Sequence, residues 1–420
     1  MKKINEINIS YVLTTLAFIS LCFFSAYDAF LTLNWPIVSY IVFILFMLGV
    51  YALMHRRKKD LVCDLLPVLL LVRSLFYLIG ILVNNYSIDL FYLELFNNLI
   101  YIIVYLLAKN YGDDAFKLEA IFVAFSLITD IQLLFSLFSG GIDDKNLIVS
   151  GIGHSNYAAT FLLLMAVYFL FSKKNKLGMV GLGLSIFGLL LTQSFGAYVA
   201  FSIIIVYAMF YYRHSYKRYL KWYYTIPTVV AMVILCVVFR SYLLKIFEVI
   251  TIKISYLLKG DITAFGSSRP ELYAFSWRNI CRNPIFGSIL NIDYNLPATY
   301  RYQNYRTHNI FLESMLIYGL LGSLINIMIV VYLIYRLKKS GFGRKKFALI
   351  SSLVAVFIHG LVEPNFFTYN FELFMFLFYG LLISESFKED SYEGNNLSGG
   401  LGNEALSPNT GDEQAASTSL

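Results

Sequence analysis

Apolar segments of about 20 residues recur along the whole chain, and this repetition constrains the fold more than any other feature. A helix of that length crosses a hydrocarbon core ~30 Å thick. Charged residues make up only 14% of the 420 residues, against roughly 25% in soluble domains, and the mean hydropathy is +0.67. The segments do not alternate polar and apolar residues, as the strands of a membrane barrel would. We therefore predict an all-α polytopic membrane protein.

The apolar segments predict twelve membrane-spanning helices. They lie at about residues 10–30, 36–54, 61–83, 89–108, 116–138, 155–172, 177–193, 196–212, 222–240, 308–335, 346–365 and 370–386. Lys and Arg cluster in alternate loops, so the positive-inside rule predicts that both termini are cytoplasmic. We expect the first helix to be retained, because no small-residue cleavage site accompanies it.

One long loop, residues 241–307, is predicted on the extracytoplasmic side. With its edge residue Arg240 it holds nine Lys and Arg against four acidic residues, a net charge of +5 where cations are normally scarce. Helix-spaced apolar residues at 242–258 and 271–281 predict short helices on the outer surface. The predicted organisation is spans one to nine in 1–240, the loop in 241–307, three spans in 308–388 and a disordered cytoplasmic tail in 389–420.

His308 is the first candidate catalytic residue, since it begins the tenth predicted span at its outer end. On one continuous helix, Leu312, Met315, Gly319 and Gly322 would share its face, and the small residues would let another helix approach closely. An imidazole titrates near neutral pH and can act as a general base. An interfacial histidine bonded to a carbonyl or a headgroup would occupy the same position.

Arginines in the long loop are candidates for binding an anion. They are Arg269, Arg278, Arg282, Arg301 and Arg306. A guanidinium binds phosphate through two parallel hydrogen bonds and is always charged, which suits a lipid-linked diphosphate or another anion. Contact with lipid headgroups is the alternative, and it is favoured for Arg278 and Arg282, whose helix neighbours are apolar.

Arg73 lies in the middle of the third predicted span. A charge near the bilayer centre costs at least ~2.5–3.5 kcal/mol, so it is expected to face a cavity or a partner. Glu94 and Asp130 in neighbouring spans are the candidate partners. A structural ion pair and a contact with substrate both remain open.

Further histidines lie on the predicted outer side. His154 precedes the sixth span, where Ser155 or Asn156 can cap the helix, but capping does not account for His154. His359 and Glu363 lie toward the outer end of the eleventh span. The four cysteines are scattered and show neither a disulfide framework nor the spacing of a zinc site.

Four motifs occur in a fixed order: GIGHSNYAA, LTQSFGAYVAF, SSRPELYAFSWRNICRNPIFGSIL and THNIFLESMLIYGLLG. From about Gly151 to Glu363 the chain resembles the O-antigen ligase and O-antigen polymerase superfamily. The resemblance implies a lipid-carrier-dependent glycosyltransferase with a GT-C-like architecture, working outside the bacterial cytoplasmic (inner) membrane. Such enzymes pass a glycan from an undecaprenyl-diphosphate donor to a sugar hydroxyl, with inversion and without a metal or another cofactor.

The resemblance also implies roles for single residues. His308 matches the catalytic base and Arg269 the diphosphate ligand, while Gly287 ends the family's Asn-Pro-x-x-Gly turn. The supporting residues predicted for the site are His154, Asn156, Asn309, Gly319, His359 and Glu363.

Two positions depart from the ligase pattern and favour a polymerase. Phe195 stands where ligases usually carry an arginine, and Tyr273 stands where the pattern prefers leucine. Arg301, Arg306 or Arg73 could substitute for the missing guanidinium.

Three functions are therefore open. A polymerase would join lipid-linked repeat units of a surface polysaccharide, and a ligase would pass the same glycan to lipid A–core. A flippase or exporter would need charged residues along a central cavity through many spans. The expected partners are the donor and acceptor glycans, the lipid bilayer and, as a further candidate, a chain-length regulator, but no nucleic acid.

Overall fold

The computed structural model describes part of the chain. The described residues are 64–86, 88–116, 118–141, 148–150, 153–172, 175–212, 244, 247–248, 251–252, 254–256, 258–260, 269–288, 307–339, 343–363 and 369–384. The predicted spans at 10–30, 36–54 and 222–240, Arg301, Arg306 and the predicted tail lie outside them.

The described residues are mostly helical, as predicted. Their main helices are α1 Leu65–Asn84, α2 Asp89–Phe116, α3 Leu118–Ser136, α4 Ser155–Phe171, α5 Lys176–Leu191, α6 Phe195–Tyr212, α7 Arg269–Arg282, α8 Ile310–Lys339, α9 Arg344–Gly360 and α10 Tyr369–Ile383. A π-helical turn, Leu137–Gly141, follows α3, and two-residue strands β1 (Val149–Ser150) and β2 (Gly153–His154) pair antiparallel before α4. The strand pair is the one departure from all-α structure among these residues.

Helix lengths support a membrane protein. By length and composition, three stretches of the described residues can cross a bilayer: Leu65–Asn84, Leu118–Ser139 and Ile310–Lys338. α4, α5, α6 and much of α10 are shorter apolar helices. The total of twelve spans and the GT-C-like architecture stay predictions.

Helix α4 lies at the centre of the packing. Fourteen of its 17 residues are buried, so it has no polar face and is surrounded on all sides. It packs against α5, α6 and α9, and Phe161 on α4 makes edge contacts with Phe371 and Phe374 on α10. This core holds the N-terminus of α4 and the C-terminus of α9 close together, next to the site.

Helix α8 is broken, which corrects one expectation. Gly319 has φ 64° and ψ −168° inside it, and His308 precedes it with φ 52°. The predicted face shared by His308, Leu312, Met315, Gly319 and Gly322 on one continuous helix is therefore wrong.

The break in α8 is filled by the turn that follows α7. The backbone N–H of Leu320 donates to Pro284 O at 2.8 Å, and Leu316 O accepts from the N–H of Ser288 at 2.8 Å. Within an unbroken helix, Leu320 and Leu316 would bond to each other. The turn thus satisfies backbone groups that the break releases.

Two glycines allow this close approach. A Cβ on Gly319 would lie 2.3 Å from Gly287 N, and a Cβ on Gly287 would lie 2.6 Å from Gly319 N. Both glycines also have positive φ, which side chains disfavour. Gly319 therefore serves contact with a turn rather than with another helix.

Candidate functional site

Glu363 is the point where four of the predicted site residues meet. Its Oε2 lies 3.2 Å from His308 Nδ1, 3.4 Å from Arg269 Nη2 and 3.3 Å from Asn156 Nδ2. These partners come from the segment before α8, the first residue of α7 and the first turn of α4. Three separate parts of the chain thus converge on the carboxylate of Glu363, and we name these three residues together with Glu363 the Glu363 cluster.

Glu363 is buried although it lies beyond the end of α9. Helix α9 ends at Gly360, and the N–H of Glu363 donates to His359 O at 2.9 Å. Burial by itself disfavours the charged carboxyl, but the hydrogen bond from His308 and the nearby guanidinium of Arg269 favour it. Glu363 is therefore a carboxylate at neutral pH.

The Glu363 contact fixes the tautomer of His308. A carboxylate only accepts hydrogen bonds, so Nδ1 carries the hydrogen and Nε2 of the neutral ring carries the lone pair. The His308 side chain is 31% exposed, which leaves the ring accessible from outside. The arrangement is that of a general base oriented by an acid.

The backbone on both sides of His308 is held in place. Thr307 donates to Glu313 from its N–H and from its hydroxyl, both at 2.8 Å. Tyr273 on α7 donates from its hydroxyl to His308 O at 3.2 Å. These bonds stabilise the left-handed conformation of His308, which a residue with a side chain rarely adopts.

Asn309 begins α8 and joins it to the segment after α9. Its Oδ1 accepts from the N–H of Phe311 at 3.0 Å and of Leu312 at 3.2 Å, as an N-cap does. Its Nδ2 donates to Leu361 O at 3.3 Å. Asn309 therefore supports the geometry of the site rather than its chemistry.

Arg269 keeps part of its surface exposed while it contacts Glu363. Its side chain is 27% exposed. A guanidinium has five N–H donors in a planar fork, so one can reach Glu363 while others bind an anion from outside. Among the described residues, no group of three or more His, Cys, Asp and Glu could hold a metal ion.

His359 lies below the cluster in the protein interior. It is 1% exposed, and its Nδ1 lies 3.1 Å from the hydroxyl of Thr160 on α4. A Cβ on Gly196 would lie 3.5 Å from its Nε2. The motif LTQSFGAYVAF therefore adjoins the site through Gly196, at the start of α6.

At the start of α4, the predicted cap needs correction and the predicted place of His154 in the site has no support. His154, not Ser155 or Asn156, occupies the N-cap position, and its side chain makes no capping bond, so the predicted capping role of Asn156 is wrong. Asn156 lies inside the first turn and reaches Glu363 instead. His154 is exposed, and within the described part of the chain no hydrogen bond or ion pair joins it to the Glu363 cluster.

Arg73 belongs to a different group of buried residues. Its guanidinium donates two hydrogen bonds to the carboxylate of Glu372, at 2.8 and 3.3 Å. It also donates to Asn98 Oδ1 at 2.6 Å, and its Nε lies 3.3 Å from Glu94 Oε1. The predicted partner Glu94 is confirmed. Asp130 is wrong as a partner, because it packs on Gly188 of α5.

A cavity of about 440 Å³ lies beside Arg73 and Glu372 and extends along α8. It is lined by Ile310 and Phe311, next to the His308 segment, and by Arg73 and Glu372. Most of its other lining is apolar and comes from α8 and α10.

Two functional candidates were not predicted. Glu372 is a buried acid within an apolar segment, and that isolation was a usable sequence signal. In the sequence, Tyr273 stands out only as a departure from the ligase pattern. Its hydrogen bond to His308 depends on how α7 packs on α8.

Comparison with known proteins gives one finding about the family. No curated protein matches the chain. Residues 180–327 match the family model described as O-antigen ligase. This segment contains Arg269, the Asn283–Gly287 turn, His308 and Gly319. This match supports the predicted resemblance to the O-antigen polymerase and ligase superfamily over these residues.

Proposed function

We propose that the protein polymerises lipid-linked oligosaccharide repeat units of a bacterial surface polysaccharide. It transfers the growing glycan from an undecaprenyl-diphosphate donor to a sugar hydroxyl on a second lipid-linked unit. The site faces the extracytoplasmic side of the cytoplasmic membrane, and the reaction needs no metal. The observation that carries the proposal is the shared carboxylate of Glu363, which contacts both His308 and Arg269.

In the proposed reaction His308 removes the proton from the acceptor hydroxyl. Nε2 takes the proton as the oxygen attacks the anomeric carbon of the donor, and Glu363 stabilises the positive charge that develops on the ring. Attack from the face opposite the leaving group inverts the anomeric configuration.

Departure of the diphosphate completes the transfer. The bond between the anomeric carbon and the phosphate oxygen breaks, and undecaprenyl diphosphate leaves with the electron pair. Arg269 contacts the same carboxylate as His308, so its guanidinium is close to the attacking hydroxyl. It can therefore stabilise the negative charge that develops on the leaving diphosphate. The apolar part of the cavity between α8 and α10 suits an isoprenoid chain.

Ligation to lipid A–core is the second candidate, favoured by the description of the matching family model as O-antigen ligase. Both functions use the same donor and differ in the acceptor. Phe195, in place of the ligase arginine, and Tyr273, in place of leucine, favour the polymerase.

Surface glycan ladders test the proposal. His308→Ala and Arg269→Ala, each expressed in a strain without the native protein, should abolish long chains. Loss of a polymerase leaves a single repeat unit attached to the acceptor. Loss of a ligase leaves lipid A–core bare while polymer accumulates on its lipid carrier.

Matched controls separate chemistry from expression. Glu248→Gln and Lys259→Gln change exposed loop charges and should leave the ladder unchanged at equal protein levels. A full-length ladder with His308→Ala would reject the catalytic role of His308. Loss of transfer by the purified protein in EDTA, with recovery on adding a divalent cation, would reject metal independence.

A further inference from the structure

One face of α7 is exposed although α7 packs closely on α8. The exposed residues on this face are Trp277, Arg278, Cys281 and Arg282. Residues three or four positions apart are neighbours on a helix surface, so these four share one side of α7. The opposite side packs against α8 through a small apolar cluster. The side chain of Trp277 is 55% exposed, which is unusual for a large aromatic side chain that faces water.

The position of the following turn along the membrane normal can be read from α1. Tyr77, toward the middle of α1, contacts Tyr318, with ring centroids 5.8 Å apart and ring planes tilted by 55°. Seven residues later, ~10 Å further along the helix, Asn84 donates to Gly287 O at 3.2 Å. Because α1 is one of the candidate spans by length and composition, its last residue is expected near a membrane boundary. The turn is therefore expected at the level of the lipid headgroups on the His308 side.

Apolar residues at this level are exposed. Ile285 in the turn is 51% exposed, and Leu320, beside it on α8, is 48% exposed. Below them Leu324 and Ile327 are also exposed on α8. The apolar surface of α8 thus continues without interruption onto the turn, as expected if both face acyl chains.

We propose that Trp277, Arg278, Cys281, Arg282 and Ile285 form a lipid-contact patch that binds the phospholipid layer at its headgroups. The two arginines contact the phosphates of anionic phospholipids, and the indole lies at the boundary of headgroups and acyl chains. Arg278 lies nine residues from Arg269, ~13 Å along α7. The patch is therefore separate from the Glu363 cluster and does not depend on the proposed reaction.

Tryptophan fluorescence tests the patch directly. The chain has three tryptophans, so Trp35→Phe with Trp222→Phe leaves Trp277 as the only indole. This protein is reconstituted in nanodiscs of phosphatidylcholine and phosphatidylglycerol without added donor. Lipids brominated near the ester end of the acyl chain should quench most of its emission, and lipids brominated near the methyl end should quench less. Aqueous acrylamide should quench weakly.

Charge dependence tests the arginines. Quenching by the shallow bromines should rise with the fraction of phosphatidylglycerol, and Arg278→Gln with Arg282→Gln should remove that rise. Lys259→Gln, which changes an exposed cation of the same loop outside the patch, should preserve it.

A second measurement protects the test against loss of folding. A spin label on Cys281, with Cys22, Cys63 and Cys236 replaced by serine, should be relaxed more by oxygen than by an aqueous nickel chelate. Strong acrylamide quenching without bromolipid quenching, or a label open to nickel, would overturn the proposal. If Trp277 is protected from acrylamide, and the label on Cys281 from nickel, only after lipid-linked glycan is added, the patch binds a sugar instead.

Discussion

At the scale of single residues, the site depends on one carboxylate that serves several partners. Glu363 orients His308, attracts Arg269 and accepts from Asn156. A carboxylate has two oxygens with about four acceptor positions, so it can serve these donors together. Its position therefore couples the proposed base, His308, to Arg269, the cation that is proposed to bind the leaving group.

Glu363→Gln is expected to slow glycosyl transfer strongly without unfolding the protein. The amide keeps the shape of the side chain but cannot stabilise a charged imidazole, so the rate should fall roughly 10²- to 10⁴-fold, the usual contribution of acid–base catalysis. Steady-state transfer from a lipid-linked donor measures it.

The combination with His308→Ala distinguishes a catalytic pair from independent effects. If Glu363 acts through His308, the double variant should be no slower than His308→Ala alone. Multiplying effects would contradict the pairing. Glu119→Gln, a carboxylate that bonds Asn175 on the surface, is the matched control and should retain full activity.

Tyr273→Phe tests whether Tyr273 positions His308. Removing a hydrogen bond worth about 0.5–1.5 kcal/mol should lower kcat about two- to tenfold while KM for the donor stays unchanged. A rise in KM with unchanged kcat would contradict a positioning role. Tyr256→Phe, in another part of the same predicted loop, should change neither constant.

Motifs and predicted topology together identified all four residues of the Glu363 cluster but not the contacts among them. His308 and Arg269 lie in recognisable motifs, and Asn156 and Glu363 were placed on the same side of the membrane by topology. The contact between Asn156 and Glu363 joins positions 207 residues apart and depends on the packing of α4 against α9. Only the tertiary structure supplies that information.

At the scale of elements, the junction between the α7 turn and α8 places His308. Backbone hydrogen bonds from the turn replace those lost at Gly319, so the break occurs with these backbone polar groups satisfied. The segment before the break can then take a direction of its own. The Asn283–Gly287 turn and Gly319 therefore form one structural unit.

Gly319→Ala should destabilise this junction. The added methyl would lie 2.3 Å from Gly287 N at a residue with φ 64°, and strained backbone of this kind costs on the order of 1–3 kcal/mol before the clash is counted. Thermal unfolding in detergent should show a lower midpoint, together with loss of transfer activity.

Gly183→Ala provides the comparison for Gly319→Ala. A Cβ at Gly183 on α5 meets nothing within 4 Å, so alanine should be neutral or slightly stabilising there. Equal midpoints for the two variants would show that the glycine junction contributes nothing to stability.

Helix positions were predictable because long apolar segments report them directly. The predicted spans at 155–172 and 196–212 match α4 and α6 to within one residue. The break in α8 was not predicted, because hydrophobicity continues through Gly319 and the partner that makes the break favourable lies in the preceding loop. Composition indicates that a segment is helical, but it does not show where another segment interrupts the helix.

At the scale of the whole molecule, Arg73 joins helices that are far apart in sequence. From α1 it contacts Asn98 on α2, Asn326 on α8 and Glu372 on α10. Its guanidinium also lies 4.9 Å from the centre of the Tyr318 ring, immediately before the break in α8. The sequence predicted that Arg73 needs a partner, but the choice of Glu372 depends on how α10 packs beside α2.

The final prediction concerns the pair of Arg73 and Glu372. Removing one member leaves a buried charge without its main partner, which should cost about 3–5 kcal/mol, so Arg73→Met and Glu372→Met should each lower the unfolding midpoint markedly. The double variant removes both charges and should recover much of the loss, because apolar pairs of similar volume often replace buried ion pairs well.

Lys176→Met, at an exposed helix start, controls for loss of a cation. Additive single losses in the double variant would show that the two residues stabilise the fold independently. If the double variant also regains transfer activity, Arg73 acts by joining the helices; if it stays inactive at recovered stability, Arg73 has a direct role in binding the substrate.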